Sequence, residues 1–198
     1  YGDRIPILVH SDLSVVDENL EMIAESFFQY ANLPKRMKLN RLMVQNSVTG
    51  CTVMINRCLQ QYFLRQLPIS EIIMHDYWAA LIAKVFGKIG YVNEPTLYYR
   101  QHGHNSVGAK DAMSFKFLYG RLKEGKNSYR RSMIESMEQI QGFVETYGDE
   151  IEDLDEYELM KDYGDLYYKG KIRRLNFYNH NQVLKEGRIR KLMQWLWG

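Results

Sequence analysis

Between His75 and Phe86 the apolar residues keep a helical period, with extended runs on either side. Trp78, Leu81, Ile82, Val85 and Phe86 fall at three- and four-residue steps, and Gly87 stands where such a helix would end. Before it, Ser47 to Ile55 reads as a strand, with Val48, Val53, Met54 and Ile55 around the small residues Thr49-Gly50-Cys51. Gly50 within it marks a bulge or a close backbone approach. After it, Lys88 to Val92 extends, Asn93-Glu94-Pro95 turns, and Thr96 to Arg100 extends again. An amphipathic helix set between strands predicts a mixed α/β sheet.

Upstream, the branched run Ile5-Pro6-Ile7-Leu8-Val9-His10 predicts a strand that gives way to a polar turn at Ser11-Asp12, followed by a helix over Asn19 to Tyr30. The chain opens at Tyr1 without a methionine and enters that strand almost at once, which reads as a fragment of a longer protein. Beyond Ala109 the strand signals stop. The remainder reads as helices separated by Gly125, Gly148, Gly164 and Gly187, so the expected organisation is a sheet-containing part over 1–109 and a helical region over 110–198. Acidic residues gather in Asp149 to Asp165, and basic ones in Lys169 to Lys191. Such runs are solvated faces, or pair with each other, or dock a partner.

Composition sets outer limits. A net charge of +2 is too mild for a nucleic-acid binder, so no nucleic-acid partner is expected. The two cysteines, Cys51 and Cys58, fit neither a zinc knuckle nor a redox pair, and read as reduced thiols of a cytoplasmic protein. No apolar run approaches the ~20 residues of a membrane span, and no signal segment opens the chain. The 15 tyrosines suit sugar stacking, but suit cores and interfaces equally.

Three short strings carry the chemistry: Val48-Thr49-Gly50-Cys51-Thr52, Met74-His75-Asp76-Tyr77-Trp78, and Tyr98-Tyr99-Arg100-Gln101-His102-Gly103-His104-Asn105. In this order and spacing, and together with His10-Ser11-Asp12-Leu13 and Val15-Val16-Asp17, they resemble the C-terminal half of family 2 glycosyltransferases, particularly the rhamnosyltransferase-like members. The resemblance covers roughly residues 5–110. It implies a GT-A-type mixed sheet, truncated on its N-terminal side, with flanking helices and a helical C-terminal appendage. It also implies an inverting enzyme that transfers a sugar, rhamnose among the candidates, from a nucleotide-sugar donor to a glycan or lipid-linked glycan acceptor of a surface polysaccharide. The donor's divalent metal, Mg or Mn, would be held mainly by an Asp-x-Asp motif upstream of Tyr1, and this fragment alone would be inactive. Asp153-Leu154-Asp155 is a chance match to that motif.

Inverting transfer needs a carboxylate that removes a proton from the acceptor hydroxyl as its oxygen attacks the anomeric carbon. Asp76 fits. It opens the predicted helix after an extended segment, where the positive helix end favours its ionised form; the competing reading is a simple helix cap. By the resemblance, His75 binds substrate beside the base, and Thr49, Gly50 and Cys51 form a small-residue turn that leaves room for a sugar ring, although a plain bulge also accounts for Gly50. Trp78 can stack on a sugar, yet its register with Leu81 and Ile82 points to the core. Arg100 and Gln101 are candidates for phosphate or substrate contact, and His102 for the metal, against the ordinary reading of a surface histidine.

Two other classes compete. His75-Asp76 also occurs in HD-type metal phosphohydrolases, an all-helical fold. Alternatively the chain is a non-catalytic docking module. The segment 185–197 combines Arg188, Arg190 and Lys191 with Leu192, Met193, Trp195, Leu196 and Trp197, which suits peripheral contact with an anionic membrane and is compatible with an enzyme at its inner face. A helix packed on the domain explains the same residues. An exposed sheet edge left by truncation would favour homo-oligomers.

Overall fold

The computed structural model describes residues 4–65, 67, 69–102 and 115–198, apart from the side chains of 115–125. The chain is mixed α/β. Strand β1 (Ile7–Val16) is the hub of a four-stranded sheet. It pairs antiparallel with β2 (Met22–Ala24) near its C-terminal end and with β3 (Met54–Ile55) near its N-terminal end, and parallel with β4 (Lys88–Arg100) along its whole length.

β1 does not stop at Ser11-Asp12. Its polar residues are satisfied where they stand: the Ser11 hydroxyl meets that of Thr96 at 2.6 Å, and the Asp12 carboxylate accepts from the Leu13 and Phe28 N–H groups and the Ser26 hydroxyl. A paired polar group can remain buried in a strand at little cost. The expected helix over Asn19 to Tyr30 is instead a hairpin and a single turn. Asp17 accepts from the N–H groups of Asn19 and Glu21, Leu20 takes φ 68°, and the chain folds back as β2 before the short helix α1 (Phe27–Tyr30). Nor is Asn93-Glu94-Pro95 a turn. β4 carries 13 residues against the 10 of β1, and the surplus is absorbed where the register shifts, between Ser11 and Ser14 on β1. Among the described residues the far edge of β4 pairs with no strand, and Glu94 and Pro95 there discourage edge-to-edge pairing.

Helices α2 (Leu39–Leu42) and α3 (Arg57–Phe63) lead to α4 (His75–Phe86), the helix that the periodicity predicts. Gly87 ends it for a steric reason: a Cβ there would stand 1.8 Å from the Pro6 carbonyl oxygen, which Lys88 N–H also meets at 3.0 Å. That close approach lets the chain enter β4 directly beside β1.

The long helix α5 (Phe115–Ile151) covers α4, and α6 (Asp155–Asp165), α7 (Lys171–His180) and α8 (Arg188–Trp197) pack behind it. Trp78 is wholly buried, with its ring 5.2 Å from Phe143 and 6.1 Å from Tyr147. Burial on this scale contributes about 3–5 kcal/mol per large aromatic. One buried cluster runs from Leu8 and Trp78 through Phe143 and Tyr163 to Val183 and Met193, so the helical region shares its core with the sheet. Polar contacts join them as well: Ile73 N–H donates to Gln139, Arg41 to the Leu184 carbonyl, and Arg190 to those of Ala31 and Asn32. Of the expected glycine breaks, Gly125 and Gly148 lie inside α5 and Gly164 inside α6. Only Gly187, at φ 92°, separates two helices. The expected boundary near Ala109 lies outside the described residues. No helix among the described residues is long and apolar enough to cross a membrane.

Candidate functional site

The loop from Asn46 to Cys51 and the first turn of α4 meet over a cavity of about 400 Å³. The expected strand over Ser47 to Ile55 is here a loop, a 3-10 turn at Gly50–Thr52 and the two residues of β3. The loop is held by Asn46, whose side-chain carbonyl accepts from Val48 N–H while its amide donates to the Val48 carbonyl. The turn is fixed by Thr49, whose carbonyl accepts from both the N–H and the hydroxyl of Thr52.

Asp76 stands on the cavity wall, 6% exposed. It is the second residue of α4, and Met74 holds the cap position, so Asp76 is not the N-cap. Its Oδ2 accepts from Gly50 N–H at 2.8 Å and its Oδ1 from the Asn46 amide at 3.2 Å. Burial is the largest influence on this carboxyl and pushes it above the ordinary carboxylate range. Gly50 N–H, the neighbouring His75 and the N–H groups of Tyr77 and Asp76 itself pull the other way. The helix terminus therefore moderates a shift that desolvation sets, rather than dominating as the sequence suggests.

Gly50 has a precise reason to lack a side chain. A Cβ would lie 2.8 Å from His75 Nε2 and 3.1 Å from Asp76 Oδ2. Its N–H can thus reach the carboxylate only because nothing else occupies that space. Thr49, Cys51 and His75 join it on the wall, and Leu13, Phe27, Leu33 and Tyr99 supply an apolar and aromatic side. The Cys51 thiol is exposed but is pushed up, first by partial burial and then by Asp76, so it lines the site as a neutral group rather than a thiolate nucleophile.

Compared with protein-family models, curated proteins and solved structures, the chain matches none.

The candidate residues divide accordingly. The first two strings meet, since Gly50 bonds Asp76 across 26 residues of sequence. Trp78 does not join them; it lies in the core against α5 and cannot stack on a ligand. Of the described residues of the third string, only Tyr99 lines the cavity. Arg100, Gln101 and His102 lie beyond it and do not line the wall, and Gln101 N–H pairs with the Val16 carbonyl to close the end of the sheet. His104 and Asn105 lie outside the described residues. Among the described residues no three His, Cys, Asp or Glu side chains gather in a way that fits a metal ion. Asn46, which no motif singled out, is the residue that orients the carboxylate from the far side.

Proposed function

We propose that this chain supplies the acceptor-side part of an inverting family 2 glycosyltransferase, with Asp76 as general base. The observation that carries this reading is a single, nearly buried carboxylate on the wall of an open cavity, oriented by a backbone N–H and an amide, with Gly50 kept bare beside it. A carboxylate that only stabilised the fold would need no cavity.

In the proposed step Asp76 takes the proton of an acceptor hydroxyl while that oxygen forms a bond to the anomeric carbon of the donor sugar. The bond from that carbon to the diphosphate oxygen breaks, and the nucleoside diphosphate leaves with its electron pair, so configuration inverts. Desolvation raises the basicity of Asp76, while Gly50 N–H and Asn46 fix its direction. Phe27 and Tyr99 offer faces on which a sugar ring can stack. A divalent metal would neutralise the donor diphosphate. The described residues do not form its site, and no step here passes through it.

The four-stranded sheet beside His75-Asp76 argues against the all-helical HD phosphohydrolase alternative. Saccharide binding tests the proposal directly. In ¹⁵N NMR with a panel of capped mono- and disaccharides, at least one sugar should shift the amides of Gly50, Asp76 and Tyr99 together. A panel that moves none of them removes the acceptor site.

A further inference from the structure

Helix α8 turns an apolar stripe to solvent although it is firmly fixed to the protein. Gln194, wholly buried, accepts from Lys185 N–H and donates to the Val183 carbonyl, and Arg190 reaches the carbonyls of Ala31 and Asn32. These anchors set the rotation of the helix. Met193 faces inward, and Trp197 packs on Tyr129 at 6.1 Å. Leu192, Trp195 and Leu196 are left 57%, 54% and 42% exposed on the opposite side. The stripe is thus not a loosely packed helix that a small rotation would bury.

A second exposed segment adjoins it. The Lys171 ammonium donates to the Leu196 carbonyl at 2.7 Å, which brings the start of α7 against the end of α8. Tyr168 and Ile172 are there 72% and 77% exposed. The cations Lys169, Lys171, Arg173 and Arg188 are interleaved with these residues and are exposed as well. Across residues 167–198 there are eight Lys and Arg and one Glu.

We propose that this face, built from the start of α7 and the exposed side of α8, docks on an anionic lipid bilayer. The chemistry selects that occupant. Trp, Tyr, Leu and Ile flanked by Lys and Arg match the acyl boundary and the charged headgroups of a membrane surface. A nucleic acid would use the cations but leave the aliphatic side chains in water, and a second copy of the chain would set one cationic face against another. The inference does not depend on the role of Asp76.

The test is sedimentation and tryptophan fluorescence of the chain with vesicles of phosphatidylglycerol and phosphatidylcholine, or of phosphatidylcholine alone. The chain should sediment with the anionic vesicles, release at high salt, and shift its tryptophan emission to the blue. That shift should come chiefly from Trp195, because Trp78 is already wholly buried and Trp197 packs on Tyr129. Leu192→Gln with Trp195→Gln, both at exposed positions, should leave the thermal melt unchanged and weaken binding by about tenfold or more. Ile172→Gln should weaken it less, and Trp195→Phe should bind but lose the blue shift. Failure to bind anionic vesicles, equal binding to neutral ones, undiminished binding by the double variant, or a stable dimer that buries this face would each overturn the proposal.

Discussion

Protonating His10 should unfold this protein more readily than acid alone would. His10 sits on β1, 2% exposed, with its ring 5.8 Å from Phe28 and 5.1 Å from Tyr91, and its Nδ1 has no hydrogen-bond partner. Burial among these rings pulls it down from an ordinary value of 6.5 to about 4. A group depressed on folding stabilises the native state above its unfolded value and loses that contribution as the pH falls toward its folded value. Here the window runs from 6.5 to about 4. Linkage converts that gap to a loss of about 2 kcal/mol between roughly pH 7 and pH 5, and about 3 kcal/mol by pH 4. Asp76, raised by burial, works in the opposite sense: its contribution is present below the ordinary carboxylate value and fades as the pH rises through its own. Urea unfolding of the wild type and of His10→Leu across this range separates the effects. The wild-type curve should fall more steeply with acid, and the variant should lack the His10 portion. Parallel curves, or an imidazole that titrates near its ordinary value by NMR, would refute the reasoning.

Gly87→Ala forces a Cβ to within 1.8 Å of the Pro6 carbonyl, and the junction of α4 with β4 must move. A loss of about 3 kcal/mol or more is expected in urea unfolding, at the upper end of ordinary overpacking. Gly50→Ala should behave differently. Its backbone is not left-handed, so stability should change by less than about 1 kcal/mol. The new methyl would nevertheless press on His75 and Asp76, and transfer should fall about a hundredfold. A rate that survives this change would separate Gly50 from the chemistry.

The parts of the fold that one element determines alone were legible in the sequence. The period of Trp78, Leu81 and Ile82 and the stop at Gly87 gave α4 because both follow from local geometry. What was not legible depended on partners far away. Ser11 and Asp12 look like a turn until Thr96, Ser26 and Phe28 are there to satisfy them, and Asn93 to Pro95 look like a turn until β1 lines up beside β4. Gly125 and Gly148 read as helix breaks, yet residues such as Met137, Ile140 and Phe143 bury a continuous face that overrides their weak propensity. The site shows the same division. Its residue types were visible in two strings, whereas Asn46, 30 residues from Asp76, could be found only from contact.

The most direct test of the account is the turnover of Asp76→Asn in the proposed transferase, with the acceptor constant measured alongside. Asparagine keeps the shape and can still accept from Gly50 N–H, but it cannot take a proton. The maximal rate should fall by about 10²–10⁴ with little change in acceptor binding, and the wild-type rate should decline in acid through a value above the ordinary carboxylate range. A variant that turns over within a few-fold of wild type would contradict the assignment of Asp76 as base.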